Sequence, residues 1–220
     1  MVRALGGLGL EGLEVLVIDD AAPDGTGEIA DRLEEELPWV HVLHRARKEG
    51  LGPAYLAGFA RALELGADFV FEMDCDFSHD PADVPRLIEA ATDADLALGS
   101  RYAPGGGTAN WGLLRRVVSR GGCLYAQVIL GLRVRDLTGG FKCFRRTALE
   151  AIDLSALSAH GYAFQIETTY RIVRAGLRVR EVPITFVERR AGASKMTGSI
   201  VTEAMVTVPL LRFRALTGKL

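Results

Sequence analysis

The chain reads as an α/β protein with a mostly parallel central sheet flanked by helices, and three observations carry that reading. Short apolar runs recur at strand length, each is followed by an amphipathic helical stretch, and several end in acidic residues. With 220 residues and 49% hydrophobic content, one substantial core can be buried, so a single domain over 1–220 is expected.

The elements follow in order. Residues 1–13 form a glycine-rich irregular start, then Glu14–Asp20 is an apolar run ending in acid, followed by a Pro23-Asp24-Gly25-Thr26 turn and a helical stretch to Leu37. The pattern repeats with a strand Val40–Leu43 and a helix from Pro53 to Leu65, then a strand Phe69–Met73 and a helix from Pro81, where proline suits the first turn. A strand Leu96–Gly99 leads into the loop Arg101–Gly107 and a helix Leu113–Leu130. A Gly139-Gly140 turn, a strand Phe141–Phe144, a helix Ala163–Ala175 and a strand pair broken by Pro183 complete the sheet. Residues 188–199 are polar and basic and read as a mobile loop over the site or as an exposed connection. Residues 200–220 form an amphipathic C-terminal helix, either packed on the domain or lying at a membrane surface.

A formal charge of -2 leaves no surplus to neutralise a nucleic-acid backbone, so no nucleic-acid partner is expected. Cysteines 75, 123 and 143 lack C-x-x-C spacing and read as reduced, packed thiols of a cytoplasmic protein. No run approaches the roughly 18 to 20 apolar residues of a membrane span.

The chemistry gathers where strands end, the place an open α/β sheet keeps its ligands. Asp74 and Asp76 follow a strand at a spacing that projects both carboxylates the same way, an arrangement that a hard divalent cation on a phosphorylated substrate would relieve. The alternative is one helix cap and one solvated acid. Asp19, Asp20 and Arg101 fall at other strand ends and can converge on the same crevice, whereas Asp24 and Thr26 fit an ordinary turn equally well. Arg101, Arg115, Arg116, Arg120, Arg189, Arg190 and Lys195 crowd the loop side with phosphate-binding groups, with Arg116, Arg120 and Arg190 the first candidates for plain surface charge.

These residues, with Gly50-Leu51-Gly52-Pro53-Ala54-Tyr55, Met73-Asp74-Cys75-Asp76-Phe77-Ser78-His79, Gly99-Ser100-Arg101-Tyr102, Asp136-Leu137-Thr138-Gly139-Gly140-Phe141, Phe164-Gln165-Ile166-Glu167 and Glu181–Arg189, resemble the ordered motifs of polyprenol (dolichol) monophosphate mannose synthases. Those are family 2 glycosyltransferases with the GT-A fold. The resemblance implies inverting transfer of mannose from GDP-mannose to a polyprenyl or dolichyl phosphate. It places Mg²⁺ or Mn²⁺ on Asp74, Asp76 and Ser78, and the nucleoside near Asp19, Asp20, Asp24, Lys48 and Gly52. It assigns the acceptor phosphate to Arg101, Arg115 and Ser119, loop closure to Arg189 and Lys195, and the sugar pocket to Asp136, Gln165 and Glu167. It also implies a peripheral position at the cytoplasmic face of a membrane, held by the surface itself or by a small membrane-anchoring protein. Competing readings are a UDP-glucose-dependent polyprenyl-phosphate glucosyltransferase and an inactive nucleotide-sugar-binding subunit.

One departure from the family pattern stands out: the first strand and its nucleotide-touching turn have no counterpart before Glu14. A truncated or misassigned start explains it better than a decayed enzyme. That strand would be internal, so its absence is expected to leave unpaired backbone groups beside Glu14–Asp20.

Overall fold

The computed structural model describes residues 1–157, 161–188 and 198–220. In chain order the elements are α1 (Val2–Gly6), β1 (Val15–Asp19), α2 (Thr26–Glu36), β2 (Val40–His44), α3 (Leu51–Glu64), β3 (Phe69–Glu72), α4 (Val84–Thr92) and β4 (Leu96–Ser100). They continue with β5 (Gly107–Ala109), α5 (Leu113–Leu130), β6 (Lys142–Arg145), α6 (Arg146–Ala151), α7 (Gly161–Arg174), β7 (Val179–Pro183), β8 (Thr185–Val187) and α8 (Gly198–Leu216). The start expected to be irregular opens with the single helical turn α1, and Pro81 begins a short 3₁₀ turn that leads into α4.

Among the described residues the strands fall into three sheets. β1 and β2 pair in parallel, β5 and β8 pair in parallel, and a four-stranded sheet runs β3-β6-β4-β7 with β6 antiparallel to its neighbours. Strand β4 is buried along its whole length, and Leu96, Ala97 and Leu98 expose no surface. That is what its unbroken apolar run calls for, since a strand covered on both faces has no polar side.

Between β1 and β3 the sheet is interrupted. The Val15 N–H donates to the Trp39 carbonyl and the Arg45 N–H to the Asp19 carbonyl, both at 2.9 Å. In a parallel ladder this turns the backbone groups of Val15, Val17 and Asp19 toward β2, and those of Leu16 and Ile18 the other way. The Arg146 N–H donates to the Asp68 carbonyl at 2.8 Å, so Val70 and Glu72 bond to β6 while Phe69 and Phe71 direct their backbone groups to the opposite edge. No strand among the described residues pairs with either edge. This is the gap expected of a sheet without an internal strand.

Side chains cover the interruption instead. Helix α3 packs on both β1 and β3. Gly58 lies so close to Ile18 that a Cβ there would come within 2.4 Å of its Cδ1, and Phe59 shares a cluster with Val70, Phe144 and Phe164. Leu5, Leu8 and Leu10 pack, together with Phe69, Phe71 and Met73, against the cluster that includes Leu87, Ala97 and Phe141. The hydrophobic burial that β1 loses in width is thus partly recovered from helices above and below.

Candidate functional site

A cavity of about 790 Å³ opens beyond the carboxyl ends of β3 and β4 and runs outward between α5 and α8. Its inner wall includes Asp74, Cys75, Asp76, His79 and Arg101, and its outer end Val118, Gly121, Gly122, Tyr125, Met205 and Val208. The inner end is charged, and the outer end is a trough of small and apolar side chains.

The acid turn after β3 is held by its own backbone. The Ser78 N–H donates to Asp76 Oδ1 at 3.0 Å, the Val187 N–H donates to the Ser78 carbonyl at 3.1 Å, and Phe77 adopts a left-handed φ of 60°. The Asp74 N–H donates to His79 Nδ1 at 3.2 Å, which fixes that nitrogen as the unprotonated one. His79 is buried, stacked on Phe141 at 4.9 Å and edge-on to Phe186 at 5.3 Å. Burial, reinforced by the Arg101 charge, pushes its pKa down to about 4, so the ring stays neutral and serves as a prop beneath the acids. The Ser78 hydroxyl is buried without a hydrogen-bond partner among the described residues.

Opposite the acids stands a fixed guanidinium. Arg101 donates through Nε to Asp136 Oδ2 at 2.7 Å, through Nη2 to Asp136 Oδ1 at 2.6 Å and to Thr138 Oγ1 at 2.7 Å. Burial works against both charges, yet each outweighs that penalty for the other, so Arg101 is held more firmly protonated and Asp136 more firmly ionised than usual. The charge lies near the faces of Tyr102, Trp111 and Phe186, between 5.3 and 5.6 Å from each ring centre. Glu181 completes the frame, accepting from Ser100 Oγ at 2.7 Å and from the Asp136 N–H at 3.1 Å. Arg115 stacks on Trp111 at 4.0 Å, donates to Glu188 at 2.5 Å, and keeps a buried Nε without a partner among the described residues. Ser119 accepts from the Tyr102 hydroxyl at 2.7 Å.

The remaining candidates divide. Asp20 does not line the cavity but accepts from the N–H of Gly50, which does, at 3.2 Å, and from Arg45. Gly50 enters α3 with φ of 95°, a conformation that favours glycine. Asp19 lies in a separate hollow of about 330 Å³, where His44 bridges it at 3.1 Å to Asp31 at 2.7 Å. Asp24 is an exposed turn acid accepting from Thr26 N–H and Oγ1, Lys48 is exposed, and Gly52 is buried in the first turn of α3. Gln165 lines the cavity, while Glu167 is buried and ion-paired with Arg171 at 2.8 Å. Asp136 lies beneath Arg101 and does not itself line the cavity. Arg189, Arg190, Lys195 and most of the 188–199 loop fall outside the described residues. Arg116 and Arg120 are exposed, as plain surface charges are.

Sequence reasoning gave no role to Glu72, Trp111 and Lys142, nor to Tyr55 beyond its place in the Gly50–Tyr55 motif. Tyr55 and Trp111 line the cavity, and Glu72 with Lys142 forms a fully buried ion pair at 3.3 Å behind it. A charged residue inside an apolar run, as in F-V-F-E and F-K-C-F, was the available signal. Cys123 and Cys143 are buried as expected, but Cys75 is exposed, because its turn leaves the strand and opens onto the cavity.

Asp74 and Asp76 on one wall, with a buried Ser78 hydroxyl that has no partner among the described residues, make an oxygen-only donor set that suits a hard cation carrying several non-protein ligands. No cluster of three His, Cys, Asp or Glu side chains able to hold a metal exists among the described residues. A cation here would therefore complete its shell with substrate oxygens or water.

Comparison with known proteins agrees with this geometry. The model of glycosyl transferase family 2 matches residues 2–153. The chain is 53% identical over 195 residues to the undecaprenyl-phosphate mannosyltransferase of Micrococcus luteus, covering 89% of this chain and 80% of that protein. It is 50% identical over 198 residues to the polyprenol monophosphomannose synthase of Mycolicibacterium smegmatis, covering 89% of this chain and 75% of that one. Glucosyl-3-phosphoglycerate synthase from Mycobacterium tuberculosis, solved with Mn²⁺, UDP-glucose and phosphoglyceric acid, superposes with a TM-score of 0.67 at 18% identity, covering 96% of this chain and 73% of that one. The fold is that of the GT-A glycosyltransferases, and the chain belongs to glycosyl transferase family 2.

Proposed function

We propose that the protein transfers mannose from GDP-mannose to a polyprenyl phosphate, by direct displacement with inversion. The observation that carries this reading is one cavity holding an acid turn at Asp74 and Asp76, fixed guanidinium groups at Arg101 and Arg115, and an apolar trough leading out between α5 and α8. A nucleoside diphosphate, a second anion and a hydrocarbon chain are the ligands that such a cavity accommodates together. Relatives named for mannosyl transfer to such lipids support the choice of substrates.

The chemistry asks little of a base. A phosphate monoester is largely ionised at neutral pH, so the nucleophile arrives without its proton. The His79 ring, neutral and engaged with the Asp74 N–H, is not placed to act as one. Arg101 and Arg115 would hold the acceptor phosphate, with Ser119 beside it, and Gln165 would meet the sugar. Mg²⁺ or Mn²⁺ on Asp74, Asp76 and Ser78 would neutralise the departing diphosphate. Arg189 and Lys195 keep the role of closing over the donor, and Asp20, with Asp19, Asp24, Lys48 and Gly52 nearby, that of the nucleoside side.

The outward faces of α5 and α8 favour a peripheral place on a membrane. Leu113, Val117, Leu124 and Val128 recur at helical spacing on α5, each at least 58% exposed, with Arg116 and Arg120 beside them; Val206 and Phe213 extend the apolar face on α8. No helix among the described residues is long and apolar enough to cross a membrane.

The deciding assay supplies labelled GDP-mannose or UDP-glucose with polyprenyl phosphate, with and without Mn²⁺. Metal-dependent transfer from GDP-mannose, lost in Asp76→Ala, is the expected result. Transfer from UDP-glucose alone would reassign the donor, activity in excess EDTA would remove the metal, and an α-linked product would exclude direct displacement.

A further inference from the structure

Behind the inner wall of the cavity, Lys142 is buried to zero exposure with three acceptors around its ammonium group. These are the Gln165 carbonyl at 3.0 Å, Gln165 Oε1 at 2.5 Å and Glu72 Oε1 at 3.3 Å. An ammonium accepts nothing, so the atom of Gln165 that meets it must be the amide oxygen, while Glu72 faces it as an opposite charge rather than through an aligned hydrogen bond. The amide nitrogen is thereby turned away from the ammonium, with the Glu72 carboxylate accepting from one of its two protons. That nitrogen stands over Gly140, which lines the cavity and where a Cβ would come within 3.3 Å of Nε2.

We infer that Lys142, anchored by Glu72, is a positioning residue that fixes the Gln165 amide so that its N–H, rather than its carbonyl, faces the bound hexosyl group. A free glutamine presents either end of its amide and discriminates little between a sugar oxygen that accepts and a hydroxyl that donates. Locked by Lys142, Gln165 offers donors only, and selects a hexose whose oxygen at that place accepts. Gly140 is needed beneath it because a methyl group would press on the nitrogen it must present. The ion pair costs desolvation, and its position behind a substrate-facing amide supplies a reason for keeping it.

The inference rests on the proposed donor site, and its test separates the two. Dissociation constants for GDP and GDP-mannose are measured with Mn²⁺ and without acceptor, and the ratio between them isolates what the sugar contributes. Steady-state kcat and KM are measured alongside, and melting is followed by circular dichroism. Gln165→Met, which removes the donor, is expected to leave GDP affinity within about twofold while weakening GDP-mannose by about tenfold. Glu72→Met with Lys142→Met removes both buried charges together, keeps Gln165 and frees its amide; a smaller shift of the same ratio is expected, appearing in KM more than in kcat. Gly140→Ala leaves the ion pair intact and should move the ratio in the same direction, which keeps the test decisive if the double variant does not fold. An unchanged ratio in Gln165→Met overturns the contact, and a shift there without one in the double variant or in Gly140→Ala overturns the positioning. Failure of the wild-type protein to bind either nucleotide removes the donor site and this inference with it.

Discussion

The two halves of the sheet make opposite uses of charge. On the four-stranded side, Arg101, Asp136, Glu72 and Lys142 are all nearly or wholly buried, and each has a charged partner within 3.3 Å. On the β1–β2 side, Asp20 meets Arg45 and Asp19 meets a half-exposed His44, around strands that are only partly covered. Buried pairs are costly to assemble and costlier to break, whereas pairs with a partly exposed or shared member are partly screened and cost less to lose. The difference suits the two tasks proposed for the cavity. Aligning a nucleophilic phosphate with a sugar needs groups that do not move, while a nucleoside can be held by a surface that adjusts.

The sharpest way to break this contrast is to remove one partner on each side. Asp136→Ala strands the Arg101 guanidinium and should cost about 3 to 5 kcal/mol in denaturant unfolding. Asp20→Ala, on the other side, should cost less, since Asp20 is 21% exposed and Arg45 keeps Glu49 as a partner. Equal losses would abolish the distinction.

His79 gives the four-stranded side its own acid sensitivity. Its folded pKa lies near 4, below the ordinary histidine value, so above about pH 6.5 the ring is neutral folded or unfolded. Between about pH 6.5 and 4 only the unfolded chain takes up the proton, and stability falls as pH falls through that window, by about 3 kcal/mol in all. His79→Gln, which keeps an acceptor for the Asp74 N–H, should flatten this part of the melting profile. An unaltered profile would show that other groups set it.

Amide exchange compares the halves without mutation. Leu16, Ile18, Phe69 and Phe71 turn their N–H groups toward the interruption and should exchange well ahead of Val17 and Val70, which bond across their ladders. Uniform protection along β1 and β3 would mean that the interruption is closed in solution. The smallest effect belongs to His44, whose pKa is raised chiefly by its hydrogen bond to Asp31 and secondarily by Asp19. Asp31→Asn should move its proton NMR titration back toward the ordinary value without a measurable change in melting.

Much of this was legible in the chain because the signals were local. Apolar runs gave β1, β3 and β4 within a residue or two, the first two ending in acid, and the D-x-D spacing gave Asp74 and Asp76 to one wall. The missing neighbour of β1 was expected from the family resemblance, whose pattern has a strand ahead of the one at Glu14–Asp20. What stayed hidden depends on groups distant in sequence. Nothing near Lys142 announces that Glu72 and Gln165 surround it, and nothing near Asp19 shows that it turns toward His44 and away from the main cavity. The antiparallel insertion of β6 between β3 and β4 also escapes a reading based on strand–helix alternation, because it depends on which edge the chain returns to.

The exposed thiol in the acid turn makes the protein its own reporter. Burial pushes Cys123 and Cys143 up and away from the reactive thiolate, and both lie out of reach of solvent. Cys75 is therefore where a stoichiometric maleimide or fluorescent label will go, between two carboxylates and facing the cavity. A ligand that settles on those carboxylates must shield the thiol, so the rate of labelling reads occupancy of the turn directly, in unmodified protein and without turnover.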